Sequence, residues 1–137
     1  MADYYTRFSL VLKLQVPTQQ EYALDLAAKA RRHRFEDEPL PSDFPASLGD
    51  ELEDWNFETE KNDDGIWLHS DYGGTDAVCA FIQHLLQKFN PQGRVTFEWS
   101  HDCSKPRVDA YGGGAAFITA KEIQTMNTSD WIRSKTT

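Results

Sequence analysis

The chain has 137 residues, a formal net charge of −8, 39% hydrophobic residues and 12% aromatic residues. This length fits one domain, and the apolar content is too high for an intrinsically disordered protein. No apolar run approaches the roughly 20 residues that cross a bilayer, and the first residues do not resemble a secretory signal. We therefore expect one domain over residues 1–137, located in the cytoplasm and not associated with a membrane.

The negative charge is concentrated in one segment. Residues 36–64 contain twelve of the 22 acidic residues and one of the 14 lysines and arginines, so they carry −11 while the remainder carries +3. Such a surface repels phosphates, which argues against direct nucleic-acid binding. The two cysteines, Cys79 and Cys103, lie in unlike sequence contexts, which favours two reduced thiols over a disulfide.

The first elements are a strand and a helix. Residues 7–16 alternate between apolar and polar side chains, which predicts a strand that is central in its sheet. A helical repeat then predicts a helix over residues 19–34, with Thr18 and Glu21 as a capping box. The expected inward side chains are Phe8, Leu10, Leu12, Leu14 and Val16 on the strand, and Tyr22, Ala23, Leu26, Ala27 and Ala30 on the helix.

The acidic segment begins with prolines. Residues 36–54 contain three prolines and predict a long loop that contributes little to the core, with one helical turn near 48–54. Alternation over residues 55–70, interrupted by Asn-Asp-Asp-Gly, predicts a β-hairpin. Trp67 has the opposite parity to Ile66 and Leu68, so we expect an exposed aromatic side chain at a partner surface.

The order of the remaining elements indicates a fold. A wide apolar stripe predicts a second helix over residues 75–89. The order strand, helix, strand, strand, helix, strand predicts an α+β domain of the ferredoxin-like (split βαβ) type, a two-layer sandwich with two helices on one face of an antiparallel sheet and an additional C-terminal strand. The later expected elements are strands at 94–101 and 115–119, a short strand at 123–126 and a helical turn from 129.

Two glycine clusters, Gly73-Gly74 and Gly112-Gly113-Gly114, are interpreted as tight turns or close backbone approaches. Neither has the lysine or spacing of a phosphate-binding loop.

No recognised catalytic or metal-binding signature occurs in the sequence. A cysteine nucleophile needs a base that the fold brings to it, and structural zinc sites usually have paired ligands at short spacing. We therefore predict no catalytic residue, no metal and no cofactor. The alternative is a small enzyme or ligand-binding domain that uses His69, Asp71, His101 and Cys103, with Asp102 as a further metal ligand.

The segment from Trp99 to Ala115, W-S-H-D-C-S-K-P-R-V-D-A-Y-G-G-G-A, resembles a segment that recurs in small uncharacterised proteins of phages and proteobacterial mobile elements. The resemblance covers about an eighth of the chain and implies no activity and no site residue. It implies a setting in which small acidic proteins inhibit host defence or replication proteins, some by presenting carboxylates where DNA phosphates would lie.

These observations predict a non-enzymatic interaction protein of phage or mobile-element type, such as an anti-CRISPR-like inhibitor, that binds a protein partner with a basic surface. A structural homodimer that pairs through strand edges is a further alternative. The predicted partner-binding residues are Asp50, Glu51, Glu53, Asp54, Glu58, Glu60, Asp63, Asp64 and Trp67.

Overall fold

A computed structural model of the protein describes residues 2–135. In this range the chain is an α+β structure with one antiparallel sheet of six strands and four helices, one of which is a 3₁₀ helix. None of these helices is long and apolar enough to cross a membrane. The strands are β1 (Tyr4–Lys13), β2 (Glu58–Asn62), β3 (Gly65–Ser70), β4 (Arg94–Cys103), β5 (Gly112–Thr119) and β6 (Ile123–Asn127). The helices are α1 (Pro17–Glu36), the 3₁₀ helix (Ala46–Asp54), α2 (Thr75–Phe89) and α3 (Thr128–Lys135).

The strands lie in the order β2-β3-β1-β4-β5-β6, so β1 is inside the sheet, as predicted. It pairs with β3 from Phe8 opposite Ser70 onwards, and with β4 through four residue pairs that end at Arg7 opposite Ser100. The sheet is larger than the expected four strands with one addition, because β5 and β6 both extend it beyond β4.

One face of the sheet is covered by helices, since α1 packs over β2 and β3 while α2 packs over β4 and β5. Alternate side chains of the strands point to this face and are buried, whereas Ser9, Val11 and Lys13 on β1 are exposed on the opposite, outer face. The helices touch through Tyr22, whose hydroxyl lies 2.8 Å from His84 Nε2. The buried helix residues include Ala23, Leu26, Ala27 and Ala30 of α1 and Val78, Phe81, Ile82 and Leu85 of α2.

Residues 37–45 form no helix or strand, as expected, but the expectation that the segment 36–54 contributes little to the core is wrong. The helical turn expected near 48–54 is part of the longer 3₁₀ helix, whose Leu48 and Leu52 are buried. Leu48 and Leu52 point to the core, whereas Asp50 and Glu53 on the same helix are exposed. Trp55 follows and is fully buried, so the hairpin expected from residue 55 begins only at β2.

The start of α1 also differs from the prediction. Strand β1 ends at Lys13, and Val16, which was expected to point inward, is the N-cap of α1 and 47% exposed. No side-chain hydrogen bond caps α1, so the expected capping box is absent. Pro17 begins the helix instead, because its fixed φ suits a first helical position and its missing N–H costs nothing there.

Replacing Phe81 by Ala should lower the free energy of unfolding by about 3–5 kcal/mol, because the ring is fully buried and the site would become a cavity. Urea unfolding measures this change. Phe35→Ala is the control, since Phe35 is 55% exposed, and it should cost less than about 1 kcal/mol. Similar costs for the two variants would contradict the placement of α2 in the core.

Candidate functional site

Three carboxylates from two elements meet beside the first turn of α2. Glu51 and Asp54 come from the 3₁₀ helix and Asp76 from α2, and one oxygen of each lies within 4.8 Å of the others. We call these residues the carboxylate cluster. Glu51 and Asp54 were predicted to bind a partner, whereas Asp76 was missed because only the packing of the 3₁₀ helix on α2 brings it to them.

The backbone around Gly74 allows this close approach. Gly74 has a φ of 86°, and a Cβ at this position would lie 2.9 Å from the carbonyl oxygen of Asp54. The first turn of α2 is bonded to the 3₁₀ helix, because the Ala77 N–H donates a hydrogen bond of 3.1 Å to Asp54 Oδ2. The glycine pair is therefore a turn with close backbone contact, as predicted, and Asp54 caps α2 from a different element.

The carboxylate cluster is electrostatically unfavourable. Burial raises the pKa of Glu51, and the negative charges of Asp76, Asp54 and Asp50 raise it further. Burial also raises the pKa of Asp54, although the Ala77 N–H and the charge of Arg34 act in the opposite direction.

The field of the cluster reaches the neighbouring thiol. Burial, followed by the charges of Asp76, Glu51 and Asp54, raises the pKa of Cys79 to about 12. A cation placed at the cluster would relieve this repulsion. A lysine or arginine side chain would do so, and so would a hard divalent ion, which prefers carboxylate oxygens.

A second acidic group lies on the outer face of the sheet. Glu60 Oε2 is 2.8 Å and Glu58 Oε2 is 3.9 Å from His69 Nε2. Trp67 stacks on the His69 ring at a centroid distance of 3.8 Å, and its indole N–H donates a hydrogen bond to Ser9. Trp67 thus lies on the outer face, where its contacts leave it partly rather than fully exposed.

The nine predicted partner-binding residues fall into three groups rather than one surface. Asp63 and Asp64 lie at the hairpin turn, which is separated from Glu58 by the length of β2, about 16 Å for five residues. The other two groups are Asp50, Glu51, Glu53 and Asp54 on the 3₁₀ helix, and Glu58, Glu60 and Trp67 on the outer face.

The structure separates the residues of the alternative enzymatic site. The side chains of His101 and Cys103 are on the face of β4 that the helices cover, whereas His69 is on the outer face of the sheet. His101 Nδ1 lies 2.9 Å from the hydroxyl of Thr6, and His69 is engaged by the glutamates of β2. His69 is therefore not positioned to activate the thiol of Cys103.

The acidic members of that site are held by a cation. Asp71 and Asp102 both accept hydrogen bonds from Arg7, at 2.9 and 3.1 Å.

Within residues 2–135, the carboxylate cluster is the one group of three or more metal-ligating side chains whose ligand atoms lie within 4.8 Å of one another.

Replacing Glu51 by Gln should raise the midpoint of thermal unfolding at about pH 7. Because the folded-state pKa values of Glu51 and Asp54 are raised, folding takes up protons, and this contribution to stability is lost as pH rises through the folded-state values. The difference in unfolding midpoint between Glu51→Gln and wild type should therefore become smaller as pH falls to about 4.5. Circular dichroism at several pH values measures this.

The exposed Glu122 provides the control for this measurement. The variant Glu122→Gln removes the same charge away from the cluster and should follow the wild-type pH dependence. A lower midpoint for Glu51→Gln than for wild type at neutral pH would show that the cluster stabilises the fold.

A scan against protein-family models found no match, and searches of curated proteins and of solved structures found none either.

Proposed function

We propose that this chain is a non-enzymatic interaction protein of phage or mobile-element type that binds a basic partner protein through two of its acidic groups, one on the 3₁₀ helix and one on the outer face of strand β2. The observation that carries this proposal is the carboxylate cluster. Among residues 2–135, none of its three members forms an ion pair with a lysine or arginine. Capping of α2 accounts for Asp54 and the helix N-terminus favours Asp76, whereas a basic partner would balance the repulsion among all three charges.

The basic residues near the end of α1 offset this surface only in part, because Arg34 acts on Asp54 while several others are engaged elsewhere. Lys29 pairs with Asp25 at 2.7 Å, and Arg32 pairs with Glu38 at 2.9 Å. Arg31 donates a hydrogen bond of 2.7 Å to the carbonyl oxygen of Phe57. The surface around the 3₁₀ helix therefore keeps a negative potential that attracts a positively charged partner and speeds association.

The acidic side chains are also held in place before binding. Leu48 and Leu52 fix the 3₁₀ helix on the core, while Asp50 and Glu53 on the same helix are exposed. A rigid acidic helix has less conformational entropy to lose on binding than a free acidic loop. This preorganisation supports a recognition surface rather than a segment that serves only solubility.

We further propose that the partner uses this basic surface for nucleic acid, as host defence effectors do. Glu58 and Glu60 lie on one side of β2, about 6.6 Å apart along the strand, and both carboxylates approach His69 Nε2. Such a pair of carboxylates can enter a groove lined with lysine and arginine. Nucleic acid would then compete for the same groove.

The order β2-β3-β1-β4, with α1 after β1 and α2 after β3, supports assignment of the first four strands to the ferredoxin-like type. Strands β5 and β6 would then be an extension of that fold. Because this architecture hosts many unrelated activities, the functional proposal depends on the acidic surface and not on the fold.

A variant that combines Asp50→Asn, Glu53→Gln and Glu58→Gln should bind the partner at least about tenfold more weakly, since each lost ion pair contributes about 0.5 kcal/mol. The partner is first isolated from bacterial lysate on the immobilised protein and identified by mass spectrometry. We expect a basic nucleic-acid-binding protein that duplex DNA and added salt release. The affinity is then measured by calorimetry.

The matched control combines Glu21→Gln, Glu98→Gln and Glu122→Gln, which are exposed residues outside the acidic segment. Both variants have the same net charge, so only the position of the removed charges differs. The control should keep wild-type affinity. Equal affinity of the two variants would refute the proposed surface.

A further inference from the structure

The two ends of the segment from Trp99 to Ala115 face each other across one strand pair. Trp99, Ser100 and His101 of β4 are the register partners of Gly114, Gly113 and Gly112 of β5. The segment thus forms a hairpin in which three glycines lie opposite a tryptophan, a serine and a histidine.

The glycines make room for the Trp99 indole. A Cβ at Gly114 would collide with the six-membered ring of Trp99 and would lie 2.6 Å from the carbonyl oxygen of Met126. A Cβ at Gly113 would lie 2.5 Å from the carbonyl oxygen of Trp99. The indole therefore lies across β5, where any larger residue would displace it.

The same glycines position the last helix. The Gly113 N–H donates a hydrogen bond of 3.1 Å to Thr128 Oγ1, and a Cβ at Gly112 would lie 2.7 Å from that oxygen. Asn127 then caps α3 by accepting a hydrogen bond of 2.8 Å from the Asp130 N–H. Helix α3 has no buried residue, and its Trp131 is 59% exposed. The core therefore does not require the indole of Trp131 at this place.

A cavity of about 540 Å³ opens between these elements, on the helix-covered side of β4, β5 and β6. This volume is within the usual range for binding pockets. Its lining joins two indoles with acidic and polar groups and includes Trp99, Trp131, His101, Asp76 and Asp130.

The charges around the cavity favour a cation, because the three carboxylates of the cluster outnumber the one lysine, Lys135, that lies over Trp131. Asp76 is shared with the carboxylate cluster, so Glu51 and Asp54 lie within 4.8 Å of its carboxylate. The N-terminus of α2 contributes about half a positive charge, which is smaller than the charge of three carboxylates. Asp130 adds little because it pairs with Arg133 at 3.0 Å.

The exposed indole of Trp131 already accepts a cation. Lys135 Nζ lies 5.5 Å from the centroid of the Trp131 ring. Tryptophan is the side chain that binds cations best over its face.

We propose that this cavity binds an arginine side chain of the basic partner, with the guanidinium stacked on the indoles of Trp99 and Trp131 and its charge directed to Asp76. Arginine fits better than lysine because its planar group stacks on aromatic faces and pairs with carboxylates through two hydrogen bonds. This inference rests on the proposed function, since it names the residue type that the partner contributes at one end of the acidic surface.

The test compares nonaarginine and nonalysine peptides, which carry the same charge, by isothermal titration against the full chain. Wild-type protein should bind the arginine peptide about fivefold more tightly, and Trp131→Ala should remove this preference. Circular dichroism should show that the variant is folded, because α3 buries no side chain. Phe35→Ala, which removes an exposed aromatic ring that does not line this cavity, should leave the preference unchanged.

The outcomes separate this inference from the proposed function. The acidic triple variant should weaken both peptides equally and keep their ratio, because it removes charge but no part of the cavity. Equal affinity of wild type for the two peptides, or an unchanged ratio in Trp131→Ala, would overturn the arginine site. If Trp131→Ala binds both peptides equally while the triple variant binds them as wild type does, the arginine site would be supported and the acidic surface refuted.

Discussion

The packing of the 3₁₀ helix against α2 is the constraint on which both candidate sites depend. Trp55 ends this helix, and its ring lies edge-on to Phe81 of α2 at 5.5 Å and near Phe57 at 4.9 Å. Its indole N–H has no hydrogen-bond partner among the described residues, which costs about 1–3 kcal/mol. Burial of a tryptophan contributes about 3–5 kcal/mol as judged by truncation, so the aromatic packing exceeds this cost.

The same packing stabilises the fold and creates its least favourable charges. When Leu48, Leu52 and Trp55 pack on the core, Glu51 and Asp54 are carried to Asp76 and lose part of their hydration. For Asp54, the hydrogen bond from the Ala77 N–H offsets only part of the cost of lost hydration, so its pKa stays raised. A partner that supplies a cation would recover the electrostatic energy that folding leaves unbalanced, so binding and stability are linked at this position.

Local pattern predicted the elements that bury a periodic stripe, and tertiary packing decided the rest. The alternation of apolar residues in β1 and the apolar stripe of α2 were sufficient to predict these two elements, because the apolar face of each packs directly on the core. The 3₁₀ helix was predicted only as one turn near 48–54, because the prolines that precede it and its own acidic residues are typical of a loop. The burial of Leu48 and Leu52 depends on contacts with distant parts of the chain. Asp76 could not be found from the sequence, since 22 positions separate it from Asp54.

The acidic segment and the glycine-containing hairpin, which have no sequence relation, meet at one residue. Asp76 belongs to the carboxylate cluster through its carboxylate and to the cavity wall together with Trp99 and Trp131. The glycines set the position of the indole of Trp99 and of α3, while the 3₁₀ helix sets the charge beside them. A partner that uses both features gains affinity from charge and selectivity from the aromatic surface, because charge attracts any cation whereas the indoles discriminate between cations by shape.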